Sequence, residues 1–273
     1  MPTSGYRRGM TSDAAAAPVA LVTGATAGIG LTFARRYAAD GHDLVLVARD
    51  ERRLKEVADE LGSAHGCQVE VLRADLSDRA QLQTVADRLA DRARPVDVLV
   101  NNAGFALNRG FLDGDVADEE GLLDVLCRAV LVLSHAAGGA MSERHRGTII
   151  NVSSVAGFVV MGTYSAAKAW VTTFSEGLWR ELRPHGVHVT ALCPGFTHTE
   201  FHQRASITMS RMPSIGWLDV DDVVDQCLAD VRRGKVVSVP SRRYAALTFV
   251  VRHAPRALVR RGSGSFSMRR NRH

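Results

Sequence analysis

Val19-Ala-Leu-Val-Thr-Gly-Ala-Thr-Ala-Gly-Ile-Gly30 is the stretch on which the fold turns. Val19 to Thr23 form a short run with almost no polar side chain, which suits a strand buried on both faces. Gly24 ends the run, and Gly24, Gly28 and Gly30 lead straight into a helical pattern. Glycines at such a junction let backbone N–H groups approach a pyrophosphate at a helix N-terminus. The spacing is G-x-x-x-G-x-G, not the commoner G-x-G-x-x-G. A glycine-rich turn without a ligand has the same composition. What favours a dinucleotide is the position, between the first strand and the first helix of an alternating chain. Gly24, Thr26, Ala27, Gly28, Ile29 and Gly30 are the first candidate cofactor-binding residues.

Six more apolar runs follow: Asp43 to Val47, Gln68 to Leu72, Val96 to Val100, Thr148 to Val152, His188 to Leu192 and Val236 to Val239. Amphipathic helices lie between them. Leu54, Val57, Ala58 and Leu61 keep i, i+3, i+4, i+7 spacing, as do Val220, Val223, Val224, Cys227, Leu228 and Val231. Strand and helix alternating at this pace predict an α/β fold, a doubly wound parallel seven-stranded sheet in a single domain over about residues 18–262. Met1 to Ala17 read as a disordered lead-in without a signal-peptide core, and 263–273 as a basic disordered tail.

Composition narrows the field. With 46% hydrophobic and 23% charged residues, the 273-residue chain is neither disordered nor fibrous. Arginine outnumbers lysine 31 to 3, and seven arginines with no acid follow from Arg252 to the end. The net charge of +5 therefore belongs to the tail, which argues against a nucleic-acid-binding body. Cys67, Cys127, Cys193 and Cys227 are widely separated, so neither disulfides nor a metal site is expected, and a reducing cytoplasm is the expected compartment. Gly147 to Ala167 carries no charge, but Asn151, Ser153, Ser154 and three glycines speak against a membrane span.

Further polar residues fall where a doubly wound sheet places ligand contacts, past the carboxyl ends of its strands. Asp75 and Leu76 follow the third strand, Asn101-Asn-Ala-Gly104 the fourth, Ser153-Ser154 the fifth and Pro194-Gly195 the sixth. Tyr164 and Lys168, four residues apart, share one helix face. With four tyrosines and three lysines in the chain, a chance pair at this spacing is rare. An ammonium beside a phenol favours phenolate, so the pair predicts a tyrosine pKa lowered from about 10 toward neutrality. Such a phenol can exchange a proton with an alcohol or carbonyl.

Thr23-Gly-Ala-Thr-Ala-Gly-Ile-Gly30, Asn101-Asn-Ala-Gly104, Ser154, Tyr164-x-x-x-Lys168 and Pro194-Gly195, in that order, resemble the short-chain dehydrogenase/reductase family over about residues 18–240. The resemblance implies a Rossmann-type sheet and hydride transfer with a nicotinamide cofactor. It implies Tyr164 as acid/base, Lys168 as ribose ligand and pKa modulator, and Ser154 as the residue that orients substrate. It also places Asp75 against the adenine, Asn102, Ala103 and Gly104 along the cofactor, and Thr197 and Thr199 near the nicotinamide end. Two departures stand out. The family's helix asparagine, held to support a proton-relay water, is replaced by Leu126, and no Asn occurs from Arg109 to Ile150. Ser154 precedes Tyr164 by ten residues, where the family commonly has about thirteen, so the wall after Ser154 is shortened.

Arg49 follows the second strand, where an arginine accepts the 2′-phosphate of NADP and an acid would accept the ribose of NAD. Asp50 reads as the cap of the next helix. The expected cofactor is NADP(H), with NAD(H) as the alternative. Phe196 to Leu218 is long for a connection and rich in apolar residues (Phe196, Phe201, Ile207, Met209, Met212, Ile215, Trp217), which predicts a lid over a small apolar carbonyl or alcohol substrate. His198 and His202 read as lid histidines rather than metal ligands. Trp170, Phe174, Leu178 and Trp179 spread round one helix and, with the family resemblance, point to a homodimer or homotetramer. The tail from Tyr244, interrupted at Pro255, reads as a helix covering the substrate pocket or making a subunit contact, with peripheral membrane contact as the alternative that its basic amphipathic character allows. The competing class is a dinucleotide-binding redox sensor or assembly protein with weak turnover, a reading that rests on Leu126.

Overall fold

The computed structural model describes residues 16–107, 109–198 and 216–263. Residues 1–15 of the expected lead-in, Thr199, most of the lid and the last ten residues lie outside them. Seven parallel strands form one sheet in the order β3-β2-β1-β4-β5-β6-β7. They are β1 Val19–Thr23, β2 Asp43–Ala48, β3 Val69–Arg73, β4 Val98–Asn101, β5 Gly147–Val152, β6 Val187–Leu192 and β7 Val237–Ser238. The chain winds outward from β1 to β3, then restarts beside β1 with β4. The crevice between β1 and β4 is thus the topological switch point, where such sheets bind ligands.

The central strands are apolar on both sides because helices cover both faces, while the edge strand β3, with Glu70 and Arg73, is only partly buried. On one face Ala20, Val22, Leu44, Leu46, Val100 and Ile150 pack under α1 (Gly28–Ala39), α2 (Glu51–His65) and Val223, Val224 and Cys227 of a later helix. On the other, Leu21, Val45, Leu99, Ile149 and Val189 pack under α3 (Arg79–Ala90) and a long helical rod. The rod is α4 (Val116–Leu123), a π turn (Asp124–Arg128) and α5 (Ala129–Glu143). Its 28 residues are long and apolar enough to cross a membrane by composition. Leu122, Leu126, Leu133, Ala137 and Met141 are nevertheless fully buried, so it reads as a core helix. A 3-10 turn (Val155–Phe158), α6 (Gly162–Leu182), α7 (Val220–Arg232), α8 (Arg242–His253) and α9 (Arg256–Ser263) complete the described elements.

The strand bounds agree with the apolar runs to within one or two residues. β4 starts later because Asp97 is spent on β1: its N–H donates to the Val19 carbonyl and its carboxylate accepts from Val19 N. β7 is cut short before Pro240, which has no N–H to extend a ladder. Pro255 separates α8 from α9, as expected. Aspartates cap α2 (Asp50), α3 (Asp78), α4 (Asp115) and α7 (Asp219) by accepting first-turn N–H groups, each a contribution of about 1 kcal/mol. The helix at the switch point differs: α1 starts at Ala27, which has no side-chain acceptor.

Candidate active site

The Gly-rich turn crosses the end of β2, with Gly24 N donating to Val47 O at 2.8 Å. Gly24 has φ 65°, a left-handed conformation that side chains resist. A Cβ on Gly30 would lie 2.3 Å from Gly24 O and 2.4 Å from Asn102 Nδ2, so only glycine lets α1 start so close to β4. Asn102 ties the two strand ends together by donating to Thr23 O at 2.9 Å. Thr23 Oγ1 in turn accepts from Asn102 N and Ala103 N. With no side-chain cap at Ala27 and no acid in the first turn, the N-terminus of α1 leaves N–H groups that could hold an anion. This chemistry fits the pyrophosphate of a dinucleotide.

Past β5, Ser154 caps the 3-10 turn, its Oγ accepting from Ala156 N at 3.1 Å, and it hydrogen-bonds Tyr164. The shortened wall therefore still delivers Ser154 to the tyrosine. Gly157 makes this possible, since a Cβ there would meet the Ala169 and Lys168 backbone at 2.9 Å. Lys168 is buried and donates from Nζ to Val152 O at 2.7 Å. Ser153 Oγ and Thr172 Oγ1 both donate to the Lys168 carbonyl and fix the turn of α6 that carries it. One layer deeper, Asn101 bonds Ser134 and Asn151, and Asn151 bonds Ser175. This ladder joins β4, β5, α5 and α6 beneath the site.

The electrostatics correct one expectation. Burial pushes the Tyr164 phenol up to about 12, with the Ser154 hydrogen bond pulling the other way. Lys168 does not lower it here, because Nζ lies over the ring, 5.8 Å from its centroid, and spends a proton on Val152. Burial brings Lys168 itself down to about 8, opposed in part by the Cys127 and Cys193 thiols. Water exclusion therefore dominates both groups.

Leu126 is 1% exposed and lies in the π turn, a helical irregularity frequent at functional sites. It clusters with Leu122 and Ala167, and Phe105, Leu107, Cys127 and Tyr164 pack against that cluster. A Cβ on Gly104 would lie 2.8 Å from Leu126 Cδ2 and 3.9 Å from Lys168 Nζ. The leucine thus seals the side of the site where the resemblance expects a polar relay.

At the tip of β2, Arg49 Nη1 stands 4.0 Å from Asp75 Oδ2. The other Asp75 oxygen accepts from Ser77 N and Oγ at 2.9 and 2.7 Å. Burial raises the Asp75 pKa, but the Ser77 bonds and Arg49 and Arg73 outweigh it and hold the carboxyl below its ordinary value. Arg53 reaches back to the Thr26 carbonyl at 3.2 Å, and Arg73 Nε donates to Arg49 O at 3.3 Å. Three guanidinium-bearing residues meet at this tip. Sequence reading had only Arg49, although Arg53, one helical turn on, was within reach of an i, i+4 argument. Arg73 comes from another strand and carried no signal.

The remaining expected residues are spread unevenly. Leu76 is buried in the second core layer, so its side chain is spent on packing. Val155 N donates to Pro194 O, and Thr197 Oγ1 donates to Gly195 O at 3.0 Å, holding that turn beside Ser154. The lid's two ends are pinned together by a Thr197–Leu218 bridge and by His198 stacked on Trp217 at 4.6 Å. Thr199, Phe201, His202, Ile207, Met209, Met212 and Ile215 lie outside the described residues. Among the described residues no cluster of three metal-ligating side chains occurs.

A Rossmann-type sheet with an anion-binding turn at its switch point and a Ser–Tyr–Lys group beside it defines a dinucleotide-dependent oxidoreductase. The short chain dehydrogenase family profile matches residues 18–209. The NADP-dependent 3-hydroxy acid dehydrogenase of Salmonella typhimurium is 37% identical over 188 residues, covering 67% of this chain and 74% of that one. A short-chain dehydrogenase from Sphingobium yanoikuyae in complex with NADPH superposes with TM-score 0.79 at 36% identity, covering 94% of this chain and 98% of that one. A bulky-bulky ketone specific alcohol dehydrogenase from Comamonas testosteroni gives TM-score 0.75 at 31% identity, covering 94% and 96%. The chain belongs to the short-chain dehydrogenase/reductase family of NAD(P)-dependent oxidoreductases.

Proposed function

We propose that this enzyme interconverts an apolar ketone and its secondary alcohol with NADP(H), using Tyr164 as the proton donor and acceptor. The observation that carries the reading is the Ser154–Tyr164 hydrogen bond, with Lys168 Nζ over the Tyr164 ring. When bound, the nicotinamide supplies or accepts the hydride. The first-turn N–H groups of α1 hold the pyrophosphate. Arg49, with Arg53 and Arg73 nearby, supports NADP(H) over NAD(H), because a guanidinium fork suits a 2′-phosphate. The NADPH-bound relative and the NADP-dependent relative support the same choice.

Ser154 Oγ and the Tyr164 hydroxyl bind the carbonyl oxygen, and the phenol passes its proton as the alkoxide forms. A phenol with a pKa of about 12 is protonated at neutral pH and ready to donate. Lys168, repositioned from the ring to the ribose and phenol, stabilises the phenolate that remains. The half-buried Phe105 and Leu107, packed on the buried Leu122–Leu126–Ala167 cluster, support a hydrophobic substrate, as does the ketone-specific relative. The test is transfer of deuterium from labelled NADPH to a panel of bulky ketones. A labelled alcohol is expected; no transfer to any ketone would reject the reading. Sealing of the Lys168 side by Leu126 favours a second reading, a nucleotide-binding protein with slow turnover, and tight NADPH binding without label transfer would select it.

A further inference from the structure

Helix α8 is inside out. Tyr244, Thr248 and Val251 face the protein, while Leu247, Phe249 and Val250 are 51%, 64% and 63% exposed. On α9 Val259 is buried and Leu258 is 59% exposed. A surface helix of a globular protein normally presents the opposite pattern. Four of the ten large apolar side chains exposed among the described residues therefore sit on these two short helices. Exposed Arg242, Arg243, Arg252, Arg256, Arg260 and Arg261 surround them. No acidic residue occurs anywhere from Val231 to His273.

We propose that the outward face of α8 and α9 docks on an anionic lipid surface. Its apolar residues enter the headgroup region and its arginines pair with lipid phosphates. Charge selects this occupant. A second copy meeting this face across a two-fold axis would set two arginine-rich helix pairs, themselves without an acid, against each other, which is repulsive. A nucleic acid would match the arginines but would not require four aliphatic and aromatic side chains between them. Anionic lipid satisfies both features at once. The face also adjoins the active site. Tyr244 of α8 donates to Gly216 O at 2.6 Å and accepts from Phe196 N at 3.3 Å, next to the Pro194-Gly195 turn. Arg252 lies 5.4 Å from the Phe158 ring centroid and 3.5 Å from Glu176, against the wall that follows Ser154. Docking would therefore hold the substrate rim beside the membrane. The inference goes beyond the proposed reaction and does not depend on it.

The full chain should co-sediment with phosphatidylcholine vesicles containing phosphatidylglycerol, should not co-sediment with pure phosphatidylcholine, and should release as salt rises. Arg256→Gln with Arg260→Gln should weaken vesicle binding at least about tenfold, at roughly fivefold per arginine near an anionic surface. Phe249→Glu with Val250→Glu should weaken it by about tenfold or more while unfolding stays cooperative at an unchanged midpoint. The proposal is overturned if the wild-type chain ignores anionic vesicles, or if both double variants bind them like wild type. It is also overturned if Phe249→Glu with Val250→Glu splits a dimer in sedimentation velocity without altering vesicle binding, since the face then belongs to a second copy.

Discussion

At the tip of β2 and β3, Arg49 keeps most of its side chain in solvent, Arg53 reaches the Thr26 carbonyl and Arg73 the Arg49 carbonyl. A few strands away, Lys168 and Leu126 are buried and Tyr164 is half-buried against the Leu122–Leu126–Ala167 cluster. The first region stays hydrated and offers charge to an incoming phosphate. The second has its titrating groups moved by burial, Lys168 down to about 8 and Tyr164 up to about 12. One end of the cleft is therefore expected to set affinity and cofactor choice, and the other to set rate and pH response. Four experiments would break or sharpen that division.

The largest effect is expected in the pH dependence of stability. Lys168 titrates near pH 8 when folded and near its ordinary 10.5 when unfolded. Between those values the unfolded chain binds the extra proton, so stability from this group rises with pH. The gain is about 3 kcal/mol across the window, and the penalty stands in full below pH 8. Lys168→Met lacks the titration. Urea unfolding of both proteins from pH 7 to 10.5 should give a difference curve that climbs; parallel curves would show that Lys168 is not held in a dry site.

Next is Tyr164→Phe, which keeps the ring and removes the transferable proton. Turnover should fall roughly 10²-fold or more, with NADPH affinity nearly unchanged by calorimetry. Wild-type turnover in the variant would assign the proton to another group. At the open end, Arg49→Ala with Arg53→Ala should cost NADPH about ten- to hundredfold in affinity and leave NADH almost untouched, the worth of one charge-assisted bond. Equal losses for the two cofactors would mean that the tip does not read the 2′-phosphate.

The smallest effect is expected from Leu126→Asn. An amide there can hold a water beside Lys168, so kcat should rise about tenfold while the buried amide lowers stability by about 1–3 kcal/mol. A fast wild-type enzyme, or an unchanged kcat in the variant, would show that protons already leave by another path.

Sequence reading was most secure where the physics is local. The β1 run, the glycine turn and the Asp50 cap each depend on neighbours within a few residues, and each appears where expected. The Tyr164–Lys168 spacing correctly put both residues on one helix, but spacing cannot say where an ammonium points. Burial reverses the expected shift of the phenol, and Nζ, over the ring face and bonded to Val152, does not offset it.

By itself, then, the sequence determined the seven-stranded alternation, the glycine-rich turn and the residues gathered at one edge of the sheet, because burial periodicity and turn chemistry are written in short stretches. Only the tertiary structure decided which groups are dry, which arginines converge at the β2 tip, and that α8 turns its apolar face outward. Those properties depend on the distances and solvent exposure of residues far apart in the chain. Arg73 and Arg49 meet across two strands, Leu126 closes on Gly104 from another helix, and Tyr244 anchors α8 on the turn after β6. Electrostatic shifts follow water exclusion rather than residue order, so no local pattern could have fixed them.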